Sequence, residues 1–252
     1  MKEIFLAVSS LGACLLAPDG FDDVAHVSFD AKCAPADIAN IIKEGLDYNF
    51  KGKKLVLAAN YKQTIIRITN RELSRKRWLF SKKISDGDAW DIIKSVFPIG
   101  PNINEDTHLF DISLFEGKKY VCLGLPITLC EFLAEIGKEL TGSFHKISRI
   151  ETIEHLLFVK HCRGSGLAPQ AGHAADKEHN KVLVFPQDGG LRVLVVQDGL
   201  PENAFFISNH PNRREAEFEC ILDGIGERGE ICISSFIPFG AEFCLEWVSK
   251  YI

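Results

Sequence analysis

The chain has 252 residues, 46% hydrophobic and 25% charged, a composition that can bury one large core or two small ones and that excludes a disordered or fibrous protein. Its 34 acidic and 29 basic residues give a formal net charge of −5, so nothing in its charge calls for nucleic acid as a partner. The eight cysteines are dispersed without a Cys-x-x-Cys pair, which excludes zinc-ribbon and thioredoxin-like readings and suits reduced thiols in a cytosol.

In chain order, three short apolar runs come first: residues 4–8 (IFLAV), 13–17 (ACLLA) and 24–29 (VAHVSF). Ser-Ser-Leu-Gly and Pro-Asp-Gly-Phe divide them, so they predict a β-meander. One basic residue and an apolar stretch broken by Ser9, Ser10 and Gly12 do not make a signal peptide. No apolar run is long enough to span a bilayer. Residues 35–46 carry Pro35 in the first turn and Ile38, Ile41, Ile42 and Leu46 at helical spacing, which predicts a helix packed on the sheet. Residues 54–59 and 64–68 return to strand composition, so the first seventy residues read βββαββ.

Residues 71–141 read as an inserted αββα module. A helix over residues 88–97 puts Trp90, Ile93 and Phe97 on one face, residues 108–115 and 119–124 form a hairpin, and Pro126 opens a helix that ends at Gly142. The basic run at residues 71–83 reads first as a solvated face. Its segment Arg75, Lys76, Arg77 and Trp78 is also the candidate surface for an acidic partner segment or anionic lipid. Residues 144–147 are a short extended piece. A helix is expected over residues 151–161, with Glu151 and Glu154 on its solvated side.

Residues 163–180 hold almost no large apolar side chain and mark the domain boundary. Beyond it, residues 182–185 (VLVF), 191–196 (LRVLVV) and 204–207 (AFFI) are separated by Asp188-Gly189-Gly190 and by Asp198-Gly-Leu-Pro, which predicts a second meander. The first of these tips is either a phosphate cradle or a plain turn. A helix over residues 213–222, a strand over 230–234 and a terminal helix over 241–249, carrying Phe243, Trp247 and Val248, complete the chain. His161, Cys162, His173 and His179 cluster near the boundary, but their spacing is too loose for a zinc site, and no metal is assigned.

Two meanders, each leading a helix-bearing half, with an insert in the first, resemble the actin-like ATPase fold. Within it, the run KYVCLGLP at residues 119–126 followed by ITLCEFLAEI at 127–136 looks like the insert strand and helix of the PilM and GspL proteins of type IV pilus and type II secretion assembly. The resemblance implies an α/β, actin-like (ribonuclease H-like) two-domain fold, each half a β-meander with helices. The first domain is residues 1–162 with the insert at 71–141, the connection is 163–180, and a second, shortened domain is 181–252.

The resemblance also places phosphate contacts at the two hairpin tips, on Ser9, Ser10 and Gly12 and on Asp188, Gly189 and Gly190. An active member resembles Asp-x-Gly-Ser/Thr at the first tip, whereas this chain has Val-Ser-Ser-Leu-Gly there and Phe185-Pro186 where the second acid belongs. The resulting expectation is a non-catalytic scaffold or pseudo-ATPase, with no catalytic residue and no ATP or magnesium as cofactor. It would bind protein partners of an assembly machine at the cytoplasmic membrane face, as a monomer or dimer. The alternatives are a divergent phosphotransferase using Asp188 or Asp198 as base, and an unrelated α/β interaction domain.

Overall fold

A computed structural model describes residues 3–16, 23–30, 32–70, 86–115, 119–162, 180–187, 189–225, 229–233 and 247–251. The first meander forms as β1 (Glu3–Ser9), β2 (Gly12–Leu16) and β3 (Asp23–Ser28), followed by helix α1 (Pro35–Gly45) and strand β4 (Lys54–Asn60). Strand β4 pairs parallel to β1, from Glu3 against Lys54 to Ser9 against Asn60. Such a parallel return needs a crossover, and α1 supplies it, burying Ile38, Ala39 and Ile42 against the sheet.

Strand β5 (Ile65–Thr69), helix α2 (Asp86–Val96), strands β6 (His108–Phe115) and β7 (Lys119–Pro126), and helix α3 (Ile127–Thr141) follow. β5 joins β7 and β6 in a separate antiparallel sheet, in the order β5-β7-β6. Ile92, Ile93 and Phe97 of the α2 segment pack on Tyr120 and Cys122 of β7 in a small core of their own. Burial raises the Cys122 thiol to about 12. Helix α3 leaves that sheet and packs against α1 and β4. Residues 71–85, which include Arg75, Lys76, Arg77 and Trp78, lie outside the described residues.

After a 3-10 turn at Phe144–Lys146 comes a strand that the sequence reading does not contain, β8 (Ile147–Thr152), parallel to β4. Helix α4 (Ile153–His161) therefore begins two residues later than expected. The cause is a cap: the Thr152 side chain accepts the His155 N–H and fixes the helix start after it. The first sheet is complete as β3-β2-β1-β4-β8.

The second half repeats the plan. Strands β9 (Asn180–Gln187), β10 (Gly190–Gln197) and β11 (Leu200–Ser208) form the meander, helix α5 (Arg214–Ile225) crosses over, and β12 (Gly229–Ile233) pairs parallel to β9. The order β11-β10-β9-β12 matches the first four strands of the other sheet. The described residues between β11 and β12, 209–225, hold one helix. Strand alternation sorts the apolar residues of β9 and β10 between two cores. Leu183, Phe185, Leu194 and Val196 face the large core shared with β1, β4 and α4, while Val182, Val184, Leu191 and Val193 face Phe218, Trp247 and Val248. The predicted terminal helix lies outside the described residues as far as residue 246; a 3-10 turn spans Val248–Tyr251.

Candidate functional site

The carboxyl ends of β1, β4, β8 and β9 meet where the two halves join, the place at which open α/β sheets take their ligands. The side chains there are Ser9, Asn60, Thr152 with the following Glu154, and Gln187, and Arg192 reaches in from β10. Parallel pairing puts the ends of β1, β4 and β8 side by side, and packing of the second sheet brings in the end of β9; no two of the four ends are close in sequence.

At the first hairpin tip the Ser9 hydroxyl closes its own turn. It donates to the Gly12 carbonyl at 3.0 Å and accepts the backbone N–H groups of Leu11 at 3.2 Å and Gly12 at 3.1 Å. The buried hydroxyl of Tyr61 donates to the Ser9 carbonyl at 2.9 Å. Ser9 and the Gly12 N–H are thus committed within the protein. Ser10 is half-buried, and its Oγ has no hydrogen-bond partner among the described residues.

At the second tip Asp188 lies outside the described residues. Gly189 is exposed with φ at 79°, and its carbonyl accepts the N–H of Asn209 at 2.9 Å. Gly190 is buried for a steric reason: a Cβ there would lie 2.0 Å from the Ile207 carbonyl oxygen of the neighbouring strand. Gly190→Ala should therefore cost about 1–3 kcal/mol, read as a lower urea midpoint with an unchanged slope. An unmoved midpoint would mean that β10 and β11 do not approach as described. Asp198, the other candidate base, lies in the turn at the opposite end of β10, far from the junction.

Between the tips the halves are joined by buried polar groups. The Asn60 amide donates to the Pro186 carbonyl at 3.2 Å and accepts from Gln187 at 3.3 Å. Glu154, expected on a solvated face, is fully buried, and Glu151 retains only 10% side-chain exposure. The reason is that α4 is covered by both sheets, so Ile153 through Phe158 are all buried and the helix has no solvated side there.

Two donors and one cation converge on Glu154 Oε1: Thr64 Oγ1 at 3.1 Å and Gln187 Nε2 at 3.4 Å donate, and Arg192 Nε stands 3.1 Å away. The Arg192 N–H does not point along that last line, so the contact is one of charge; the directed bond of the guanidinium runs from Nη2 to the Thr64 carbonyl at 3.2 Å. An arginine inside the apolar run LRVLVV is the sequence signal that foretells such a partner, because a charge in a strand covered on both faces needs one.

Of the loose histidine set, His161 is held down to about 4, chiefly by its burial and then by Lys160 and Lys181. His173 and His179 lie outside the described residues. No group of three or more metal-ligating side chains occurs among the described residues, and none of their helices is long and apolar enough to cross a membrane.

No family model matches the sequence, and no curated protein matches it. Solved structures do. A Bacteroides thetaiotaomicron protein with an actin-like ATPase fold and unknown function aligns over 99% of this chain and 88% of its own, at TM-score 0.55 and 12% identity. The cytoplasmic domain of EpsL, an inner membrane component of the type II secretion system of Vibrio cholerae, aligns over 94% and 87%, at TM-score 0.51 and 8% identity. A chain of the PilM-PilN type IV pilus biogenesis complex aligns over 82% and 62%, at TM-score 0.50 and 13% identity. With two sheets of matching strand order and an inserted antiparallel sheet in the first half, the chain has the actin-like ATPase fold in a shortened form, the fold it shares with EpsL and with the pilus complex.

Proposed function

We propose that the protein is a scaffold of a pilus- or secretion-type assembly machine, working at the cytoplasmic face of a membrane and turning over no ATP at the junction of its halves. One observation carries the reading. The space between the two hairpin tips is crossed by the protein's own buried groups, with the Arg192 cation against the Glu154 carboxylate, where a nucleotide enzyme needs room for phosphates and a metal. The described residues at the first tip include no acid to place that metal, and the described part of the connection from β11 to β12 holds one helix. EpsL, by its own description an inner membrane component of a secretion system, and the PilM-PilN complex of pilus biogenesis give the class of partner. In this reading the inserted sheet with its basic segment at residues 75–78 is the docking surface.

Titration calorimetry with ATP and magnesium tests the claim about the junction. No heat of binding is expected up to millimolar nucleotide. Micromolar, magnesium-dependent affinity would overturn the reading and return the phosphotransferase alternative.

A further inference from the structure

Away from the junction, β6 carries a second arrangement that the scaffold reading does not use. Odd-numbered residues of this strand share one face. Along it Phe115 is buried in the main core, Ser113 is half-buried, and Asp111 and Leu109 are exposed. Ser113 thus stands at the rim where the inserted sheet leaves the first half.

There the Ser113 hydroxyl lies 2.8 Å from Nε2 of His155 on α4. The other ring nitrogen, Nδ1, lies 3.3 Å from Oε2 of Glu151 on β8. The backbone N–H of His155 donates to Thr152 Oγ1 at 3.1 Å, and the remaining oxygen of Glu151 is paired with Arg149. Base and carboxylate are therefore both held in place. Hydroxyl, imidazole and carboxylate follow one another within hydrogen-bond reach, the order in which an imidazole draws off a serine proton while a carboxylate fixes its tautomer.

A donor for the developing oxyanion is also at hand. β6 is an edge strand, and its Ile112 N–H donates to the Asp111 carboxylate at 2.8 Å, off the ladder. Backbone groups alternate in direction along an antiparallel strand, so the Leu114 N–H points off the same edge. It belongs to the residue after the serine, which supplies such a donor in other acyl-transfer sites.

We propose that Ser113, His155 and Glu151 form a nucleophilic site that accepts the acyl group of small uncharged esters. The serine oxygen bonds to the ester carbonyl carbon while its proton passes to His155 Nε2. The bond from that carbon to the leaving alcohol oxygen then breaks, and the oxygen takes the proton from His155. Water, giving its proton to His155, next attacks the acyl-serine; the acid departs and the serine oxygen recovers the proton. Asp111, two residues away on the same exposed face, disfavours anionic esters.

The test uses the full chain with a fluorophosphonate probe, read by peptide mass spectrometry, and with p-nitrophenyl acetate. Wild-type protein should carry one adduct on Ser113 and release p-nitrophenol. Ser113→Ala should lose both, and His155→Gln, checked for native circular dichroism, should label roughly 100-fold more slowly. Wild type with no adduct on Ser113, adducts only at other residues, or unchanged labelling in a folded His155→Gln variant would overturn the site and leave these bonds as a tether between the insert and α4. The ATP titration is indifferent to every one of these outcomes.

Discussion

Arg192→Ala should destabilise the protein by about 3–5 kcal/mol, because it leaves the Glu154 carboxylate buried without its counter-charge. Glu154 has no exposed surface and Arg192 has a 7% exposed side chain, so water cannot take the place of the missing guanidinium. What remains around Oε1 is one shared hydroxyl proton, since Thr64 Oγ1 also reaches the Tyr61 carbonyl at 2.7 Å, and a long bond from Gln187. Glu154 Oε2 and Gln187 Oε1 already lack partners among the described residues. The loss would also free the Thr64 carbonyl from its guanidinium bond and remove the cation that stands 5.5 Å from the Phe206 ring.

A buried pair is costly to break and cheap to replace. The double variant Arg192→Met with Glu154→Met should therefore recover most of the loss, as apolar side chains of similar volume do in other buried pairs. Urea midpoints of the wild type, the two single variants and the double variant close the cycle. A single Arg192→Ala variant within about 0.5 kcal/mol of wild type would show that the pair is wetter than the structure has it. The same variant also tests the junction, for if Arg192 is all that excludes nucleotide, its removal should let ATP bind; with no acid in the first tip to place a metal, we expect no binding.

Trp247→Ala should cost about 3–5 kcal/mol and lower the melting temperature on the order of 10 °C. Trp247 meets Phe218 of α5 edge to face, with ring centroids 5.4 Å apart, and Arg214 lies 5.6 Å over its ring. With Val248 it closes the outer core of the second sheet, whose other walls are Val182, Val184, Leu191, Val193 and Ile207. Helix α5 covers the rest of that core through Phe218, Ile221, Leu222 and Ile225, with Tyr251 beside them, so removing the indole leaves a cavity between packed elements. The indole N–H is buried without a partner among the described residues, which separates two variants. Trp247→Phe keeps the ring stack and removes the unsatisfied donor, so it should cost less than about 1.5 kcal/mol. Equal losses for Phe and Ala would mean that the N–H is bonded and that packing is the smaller part.

The elements read from local pattern and those read from the structure differ in a consistent way. Both meanders, α1, the β6–β7 hairpin and α3 follow from period-2 or period-3.6 apolar spacing and from Pro and Gly at the ends, and they form where expected. β5 also forms where strand composition places it, yet it pairs with β7 of the insert. Composition states that a segment is extended, and only the register of distant strands states which neighbour it takes. β8 was invisible for a related reason: ISRIET mixes charged and apolar residues, and its pairing with β4 joins positions about ninety residues apart. The polar sites follow the same rule. Glu151 and Glu154 stand three apart like any exposed helical pair, until strand β8 takes Glu151, which meets His155, and burial of α4 by both sheets sets Glu154 against Arg192.

The sequence by itself determined the order of elements, the repeated plan of the two halves and the absence of an acid from the first hairpin tip, because periodicity, turn chemistry and side-chain identity are local properties. The tertiary structure alone decided that Glu154 and Arg192 cross the junction and that Ser113, His155 and Glu151 meet, because those contacts depend on parallel pairing and on the packing of one helix between two sheets, and no local pattern encodes either.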